Sequence, residues 1–314
     1  MNLWKEFQHQ FKTGNNLTRV LLINVGIFVA FHIIRLLSWL LTGTGESGLT
    51  YFVISNLETY LNVSVLLTKP WTIFTYMFFH IGFMHLLSNM LILFWMGRIF
   101  VDMLNDKKFL AVYLLGGICG AALSILSYNT ISVLQDSIAS GSSAPMLGAS
   151  AAVLAVTAAV GTYFPDYKIY LLFFGRVSLK YFALIVVGLS VLFIPDGNAG
   201  GQIAHLGGAL FGFVWASQLR KGNDIAKWFM SLVEKIQNLF KPKSKLKVSY
   251  KNTGFSSKSK RAKDATYVDY EEVSEKDSNQ KELDAILDKI AKSGYESLSK
   301  DEKEKLFTSS NKKK

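Results

Sequence analysis

Apolar residues run in six blocks along this chain, at about 20–41, 84–103, 109–128, 149–164, 179–194 and 203–219, with polar segments between them. An α-helix needs roughly 20 apolar residues to cross a hydrocarbon core, or about 17 where the bilayer thins. The pattern predicts an all-α membrane protein with six transmembrane helices over residues 17–220. The fourth and fifth blocks are short, which suits helices seated partly inside a bundle around a water-filled cavity. Upstream, Leu3, Trp4, Phe7 and Phe11 share one helical face, so residues 1–16 read as an interfacial amphipathic helix. Residues 221–240 repeat the idea with Ile225, Trp228, Phe229, Leu232, Val233, Ile236, Leu239 and Phe240, giving a basic amphipathic juxtamembrane helix.

The polar segments carry further expectations. The long loop 43–75 holds its own apolar stretch from Tyr51 to Leu67, as expected of an amphipathic loop lying in the outer leaflet. Residues 241–280 are rich in lysine, serine and acidic residues without a sustained period, and read as a flexible linker. Leu283, Ile286, Leu287 and Ile290 then mark a helix that stops at Gly294, and Ser299 and Glu302 have capping-box spacing ahead of Leu306. Residues 281–314 are thus expected to form a small helical hairpin. Such a hairpin has little core of its own and is expected to dock on a cytosolic partner or brace the helix before it.

Charge orients the six blocks. Lys5, Lys12 and Arg19, then Arg98, Lys107 and Lys108, then Lys168, Arg176 and Lys180, and finally the tail all fall on one side, against Lys69 on the other. The positive-inside rule predicts an integral multi-pass protein with both termini cytoplasmic, placed here in a bacterial cytoplasmic membrane. The first block is too long for a signal-peptide core and no small-residue cleavage site follows it, so it reads as an anchor. Much of the net charge of +11 collects beside the last block, at Arg220, Lys221, Lys227, Lys235, Lys241, Lys243, Lys245 and Lys247. Anionic membrane lipids suit that placement. Nucleic acid does not, since no stacking pattern or nucleic-acid motif accompanies the charge. Cys119 is the single cysteine, which excludes a disulfide framework; beside Gly116, Gly117 and Gly120 it reads as a small packing residue.

Polar groups at bilayer depth are costly and usually functional. Ser150 follows Gly148 and Ala149 where a loop gives way to Ala, Val and Leu, near a helix N-terminus whose unpaired N–H groups stabilise an oxyanion. Alone, Gly148-x-Ser150 is weak evidence, and Ser150 reads more readily as an N-cap or packing serine. His205 supplies a base: Gly208 and Gly212 leave its helix a smooth face for close approach to the helix that Ser150 opens, small-sided at Ala151, Ala155, Ala158 and Ala159. With no intramembrane carboxylate at hand, the expectation is a Ser-His dyad whose histidine is oriented by packing. His85 and Asn89, at i and i+4, emerge on one face and add donors to an oxyanion hole. His80 lies apart as a structural histidine holding the outer loop, and His32 as one satisfied by an interhelical hydrogen bond. A zinc site from His80, His85 and His205 fits by ligand type but lacks a His-Glu-x-x-His run and an acidic base. No metal or cofactor is expected.

His85-x-x-x-Asn89, Gly148-x-Ser150 and Ala204-His205-x-x-Gly208, in this order on a six-helix pattern, resemble the rhomboid family of intramembrane serine proteases over roughly residues 15–220. The resemblance implies a rhomboid-like bundle that cleaves single-pass or multi-pass transmembrane client proteins without a cofactor, through an active site opening away from the cytoplasm. Ser150 would be its nucleophile, His205 its general base and then acid, and His85 with Asn89 its oxyanion-hole donors. The alternative is a catalytically inactive rhomboid-like scaffold that binds membrane helices; a transporter is disfavoured because its polar groups should line a through-path. Three positions depart from the family pattern: Ala151 replaces the usual glycine after the serine, Leu154 an aromatic, and Trp71-Thr72 a Trp-Arg pair.

Overall fold

The computed structural model describes residues 3–139, 145–171, 175–195, 198–240, 284–290 and 292–311. The chain divides into two compact units, Met1–Lys243 and Ser244–Lys314.

In the first unit, α1 (Leu3–Thr13) leads into α2 (Asn16–Thr42), whose first turn is capped by the Asn15 side chain accepting from Thr18 N at 2.9 Å. The following loop folds into α3 (Gly48–Leu57), β1 (Thr59–Tyr60), α4 (Val63–Leu66) and α5 (Thr72–Thr75). Next come α6 (Phe83–Met103), α7 (Asp106–Thr130), α8 (Ser132–Ala139), β2 (Pro145–Met146) and α9 (Ser150–Tyr163). A hairpin of β3 (Lys168–Leu171) and β4 (Gly175–Ser178) precedes α10 (Leu179–Leu192), α11 (Ala199–Arg220) and α12 (Lys227–Phe240).

A helix lies over each of the six apolar blocks. Three of them, α2, α6 and α7, are long and apolar enough to cross a membrane. By contrast α9 and α10 have 14 residues each, about 21 Å at 1.5 Å per residue. The expected all-α fold needs one correction. β1 pairs antiparallel with β2, Thr59 opposite Met146, and β3 with β4, Lys168 opposite Ser178. Strands of two to four residues leave no periodicity to read. The first pair ties the outer loop to the segment that leads into Ser150.

At the centre stands α9, buried without interruption from Ala151 to Gly161 and packed by α6, α7, α10 and α11. Its small side chains explain this position, because apolar helices in lipid gain little from leaving it and associate through close van der Waals contact. Buried polar groups then fix the register. Tyr76 Oη donates to the Gly117 carbonyl at 2.6 Å, Tyr113 Oη to that of Met77 at 3.1 Å, and Ser124 Oγ to that of Gly200 at 2.7 Å. Each would cost on the order of 1–3 kcal/mol left unpaired. At the far end from Ser150, Trp215 stacks on Phe100 at 5.4 Å and its indole N–H donates to Asp224 at 3.0 Å.

The outer loop exposes Leu49, Tyr51, Phe52, Leu67, Trp71 and Phe74, an apolar surface consistent with its expected amphipathic character. His32 differs from expectation: its Nδ1 bonds the Phe28 carbonyl of its own helix at 3.0 Å, one turn back, rather than a neighbouring helix.

In the second unit, the linker expected at 241–280 lies outside the described residues. Residues 284–290 are helical, and Gly294 takes a positive φ of 77° with its N–H on the Ile290 carbonyl at 2.8 Å. A last helix, Lys300–Asn311, begins with the reciprocal capping box: Ser299 N donates to Glu302 Oε2 at 2.7 Å and Glu302 N to Ser299 Oγ at 3.3 Å. The backbone bond from Ser299 holds the Glu302 carboxyl below its usual value, and Lys289 pairs with it at 2.9 Å.

Candidate active site

Gly148 has a φ of 117°, a conformation that disfavours a side chain, and a Cβ there would sit 2.6 Å from Cε1 of His85. Glycine thus lets the backbone lie directly on the His85 ring. Gly148 N donates to the Tyr76 carbonyl at 2.9 Å and Ala149 N to His80 Nε2 at 3.2 Å. These two bonds fix the strand-to-helix turn, and α9 opens at Ser150 with Ala149 as its uncapped N-cap. The N-cap role open to Ser150 on sequence is therefore not the one it fills.

Ser150 Oγ instead lies 2.6 Å from His205 Nε2. The approach depends on two glycines of α11: a Cβ at Gly208 would fall on the Ala151 carbonyl oxygen, and one at Gly212 on that of Ala155. Their absence lets α11 rest against the α9 backbone. The methyl of Ala151 is accommodated on the other side, against Gly120 of α7, where an added Cβ would come within 2.7 Å of it.

The second nitrogen of His205 has partners that the sequence reading missed. Nδ1 lies 3.1 Å from Gln202 Oε1 and 3.1 Å from Ser190 Oγ. An amide oxygen only accepts, so this network assigns the proton to Nδ1 and leaves the Nε2 lone pair facing Ser150. The imidazole is held by hydrogen bonds, not by packing alone. Leu154, standing where the family often has an aromatic, sits buried with Ala158 and Ala209 under α10. Gln202 had a legible signal, being one helical turn before His205 on the same helix.

His85 lies over Gly148 and edge-on to His80, with ring centroids 5.0 Å apart. The Asn89 amide is 3.1 Å from His80 Nε2 and is hydrogen-bonded there instead of to Ser150. His80 is fully buried, and by accepting from both Asn89 and Ala149 it joins the expected oxyanion-hole asparagine to the turn before the serine. Among the described residues no group of three or more His, Cys, Asp or Glu side chains is arranged to hold a metal ion.

Two cavities flank the pair. One of about 250 Å³ is lined by Tyr76, His85, Met146, Gly148, Ser150 and His205, and one of about 230 Å³ by Asn89, Ser150, Leu154, Val186, Phe193 and His205. The hydroxyl and the imidazole line both.

Residues 67–222 match the family model described as the Rhomboid domain, and residues 268–312 one described as a family of unknown function, DUF6576. The chain is similar to the RHOMBOID-like protein 12, mitochondrial, of Arabidopsis thaliana, 29% identical over 48% of this chain and 47% of that protein. It is similar to the presenilin-associated rhomboid-like protein, mitochondrial, of Homo sapiens, 28% identical over 65% of this chain and 50% of that protein. The presenilin-associated rhomboid-like protein A, mitochondrial, of Danio rerio is 33% identical over 44% of this chain and 34% of its own length. The chain thus spans half or less of the length of these curated relatives.

Proposed function

The chain belongs to the rhomboid family, and from that premise we propose that it is an intramembrane serine endopeptidase that cuts transmembrane client proteins. The 2.6 Å contact between Ser150 Oγ and His205 Nε2 carries the reading. In the proposed reaction Ser150 Oγ attacks the scissile carbonyl carbon as its proton passes to His205 Nε2. The oxyanion accepts hydrogen bonds from the Ser150 N–H at the start of α9 and from His85, with Asn89 in support. The imidazolium then gives its proton to the departing amine nitrogen as the peptide C–N bond breaks. Water attacks the acyl ester with His205 again as base, releasing the carboxylic acid and restoring the Ser150 hydroxyl.

Gln202 and Ser190 are positioning residues in this scheme, since they fix the tautomer of His205. Replacing one leaves the other acceptor, so Ser190→Ala or Gln202→Leu alone is expected to lower kcat about fivefold, in line with one net hydrogen bond. The double variant strands Nδ1–H and is expected to lose about a hundredfold. A loss confined to kcat, with KM and thermal midpoint unmoved, marks positioning; a parallel fall in thermal midpoint would assign the pair a structural role.

The six helices are proposed to span the membrane together, with α9 shielded by its neighbours, and both termini on the basic side. Several relatives have the word mitochondrial in their names, which stands against the bacterial cytoplasmic membrane expected from sequence. What we propose is therefore sidedness. A membrane-impermeant fluorophosphonate added to sealed vesicles of known orientation is expected to label Ser150 only from the face opposite the tail. Labelling from the tail's face would reverse the topology. No labelling of the folded protein from either face would favour an inactive helix-binding scaffold.

A further inference from the structure

The polar side chains lining the cavity of about 250 Å³ are those of Tyr76, His85, Ser150, Asn198 and His205. Four of them have an occupation. Tyr76 gives its hydroxyl proton to the Gly117 carbonyl at 2.6 Å, Ser150 and His205 are the reacting pair of the proposed scheme, and His85 is its oxyanion donor. Asn198 is left, and half of its amide is spoken for: Oδ1 accepts from Gly201 N at 3.2 Å and caps α11. Gly201 makes room for this, since a Cβ there would fall 2.6 Å from Nδ2 and 2.8 Å from Oδ1 of Asn198. A backbone N–H can be met only by the oxygen, so the cap also fixes which end of the amide is which. Nδ2 keeps two N–H donors at the cavity, with no hydrogen-bond acceptor for them among the described residues.

A group with donors alone selects an acceptor. A carboxylate is a poor one here, because no lysine or arginine lines the cavity and charge at membrane depth is costly. A peptide supplies a neutral carbonyl at every residue, and a hollow of this size is only about two residues of extended chain across, at about 3.3 Å each. Any carbonyl that meets Nδ2 therefore lies close to the one that Ser150 attacks. We propose that Asn198 Nδ2 donates to a main-chain carbonyl of the client beside its scissile bond, so that Asn198 is a substrate-binding residue that reads backbone and not side chain. The inference rests on the proteolytic reading of Ser150 and His205, and adds to it a group that holds the client without moving a proton.

Two variants of the full chain keep the cap and lose the donor. Asn198→Asp and Asn198→Ser both offer an oxygen to Gly201 N and are good N-caps, so the thermal midpoint is expected to stay within about 2 °C of wild type. Each is expected to raise KM for a reporter transmembrane substrate about fivefold with kcat within about twofold, as for one hydrogen bond made equally in the ground and transition states. A small fluorophosphonate brings no peptide carbonyl, and its rate of labelling Ser150 is expected to stay within about twofold of wild type in both. The rise in KM is expected to be the same, within about twofold, for reporters with different side chains around the scissile bond. Wild-type KM in both variants would overturn the inference. So would a rise in Asn198→Asp alone, which would report the added charge instead of a missing donor. Parallel losses of labelling, cleavage and thermal midpoint would overturn it by assigning Asn198 to the start of α11 alone, and a rise confined to reporters with one kind of polar side chain would overturn the main-chain assignment. Failure of the proteolytic reading shows differently, as a wild type that neither labels nor cleaves.

Discussion

Ser150→Ala in the full chain, reconstituted with a reporter transmembrane substrate, is expected to lose cleavage by at least about 10⁴-fold, while helix content stays put and the thermal midpoint falls by no more than about 3 °C. The kinetic loss follows from the absence of any second hydroxyl on His205 Nε2, whose partner among the described residues is Ser150. The structural neutrality follows from what Ser150 does not do. It is the first residue of α9 and gives the helix no side-chain cap, so its removal costs one half-buried hydrogen bond, about 1 kcal/mol. His205→Ala should match the kinetic loss but is a less clean test, because it also vacates volume that Ser190 and Gln202 contact. Retention by Ser150→Ala of more than about a tenth of wild-type cleavage would sink the proposed mechanism outright.

The residues that announced the site share one property, which is polarity inside apolar blocks, and the sequence conveys that directly. Ser150 at a helix start, His205 above two glycines, and His85 one turn before Asn89 all follow from helical spacing. Ser190 has the same polarity inside the fifth block, yet a lone serine in an apolar helix so often bonds its own backbone that it gives no direction, and Ser190 does also reach the Val186 carbonyl at 3.4 Å. Its bond to His205 depends on how α10 is rotated, and rotation is a tertiary property. The partners of His80 were hidden for a related reason. Its distance along the chain from Asn89 exceeds a turn, but the loop at 80–82 folds back so that its imidazole meets Asn89 and Ala149 together.

Helix ends were the other blind spot. α2 begins at Asn16 and α11 at Ala199, earlier than their apolar blocks, because capped first turns are built from polar and glycine residues that hydropathy reads as loop. Asn198, which accepts from Gly201 N at 3.2 Å, is the kind of residue that marks such a start.

The glycines that let α9, α7 and α11 touch permit a test that separates backbone contact from side-chain contact. A Cβ at Gly212 would strike the carbonyl oxygen of Ala155, whereas a Cβ at Gly116 would strike the Cβ of the same alanine, with its Cα 3.7 Å away. Both Gly212→Ala and Gly116→Ala are therefore expected to force helices apart and cost about 3 kcal/mol, or on the order of 10 °C in thermal midpoint. Adding Ala155→Gly removes the obstacle to a methyl at 116 and leaves the obstacle at 212 in place. The Gly116→Ala/Ala155→Gly pair should recover most of its stability, and Gly212→Ala/Ala155→Gly should recover none. Activity should follow the same division, since spreading α11 from α9 also carries His205 off Ser150. Equal rescue of both pairs, read by thermal unfolding in detergent, would show that α11 does not rest on the α9 backbone, and with it would go the contact that sets the 2.6 Å hydrogen bond.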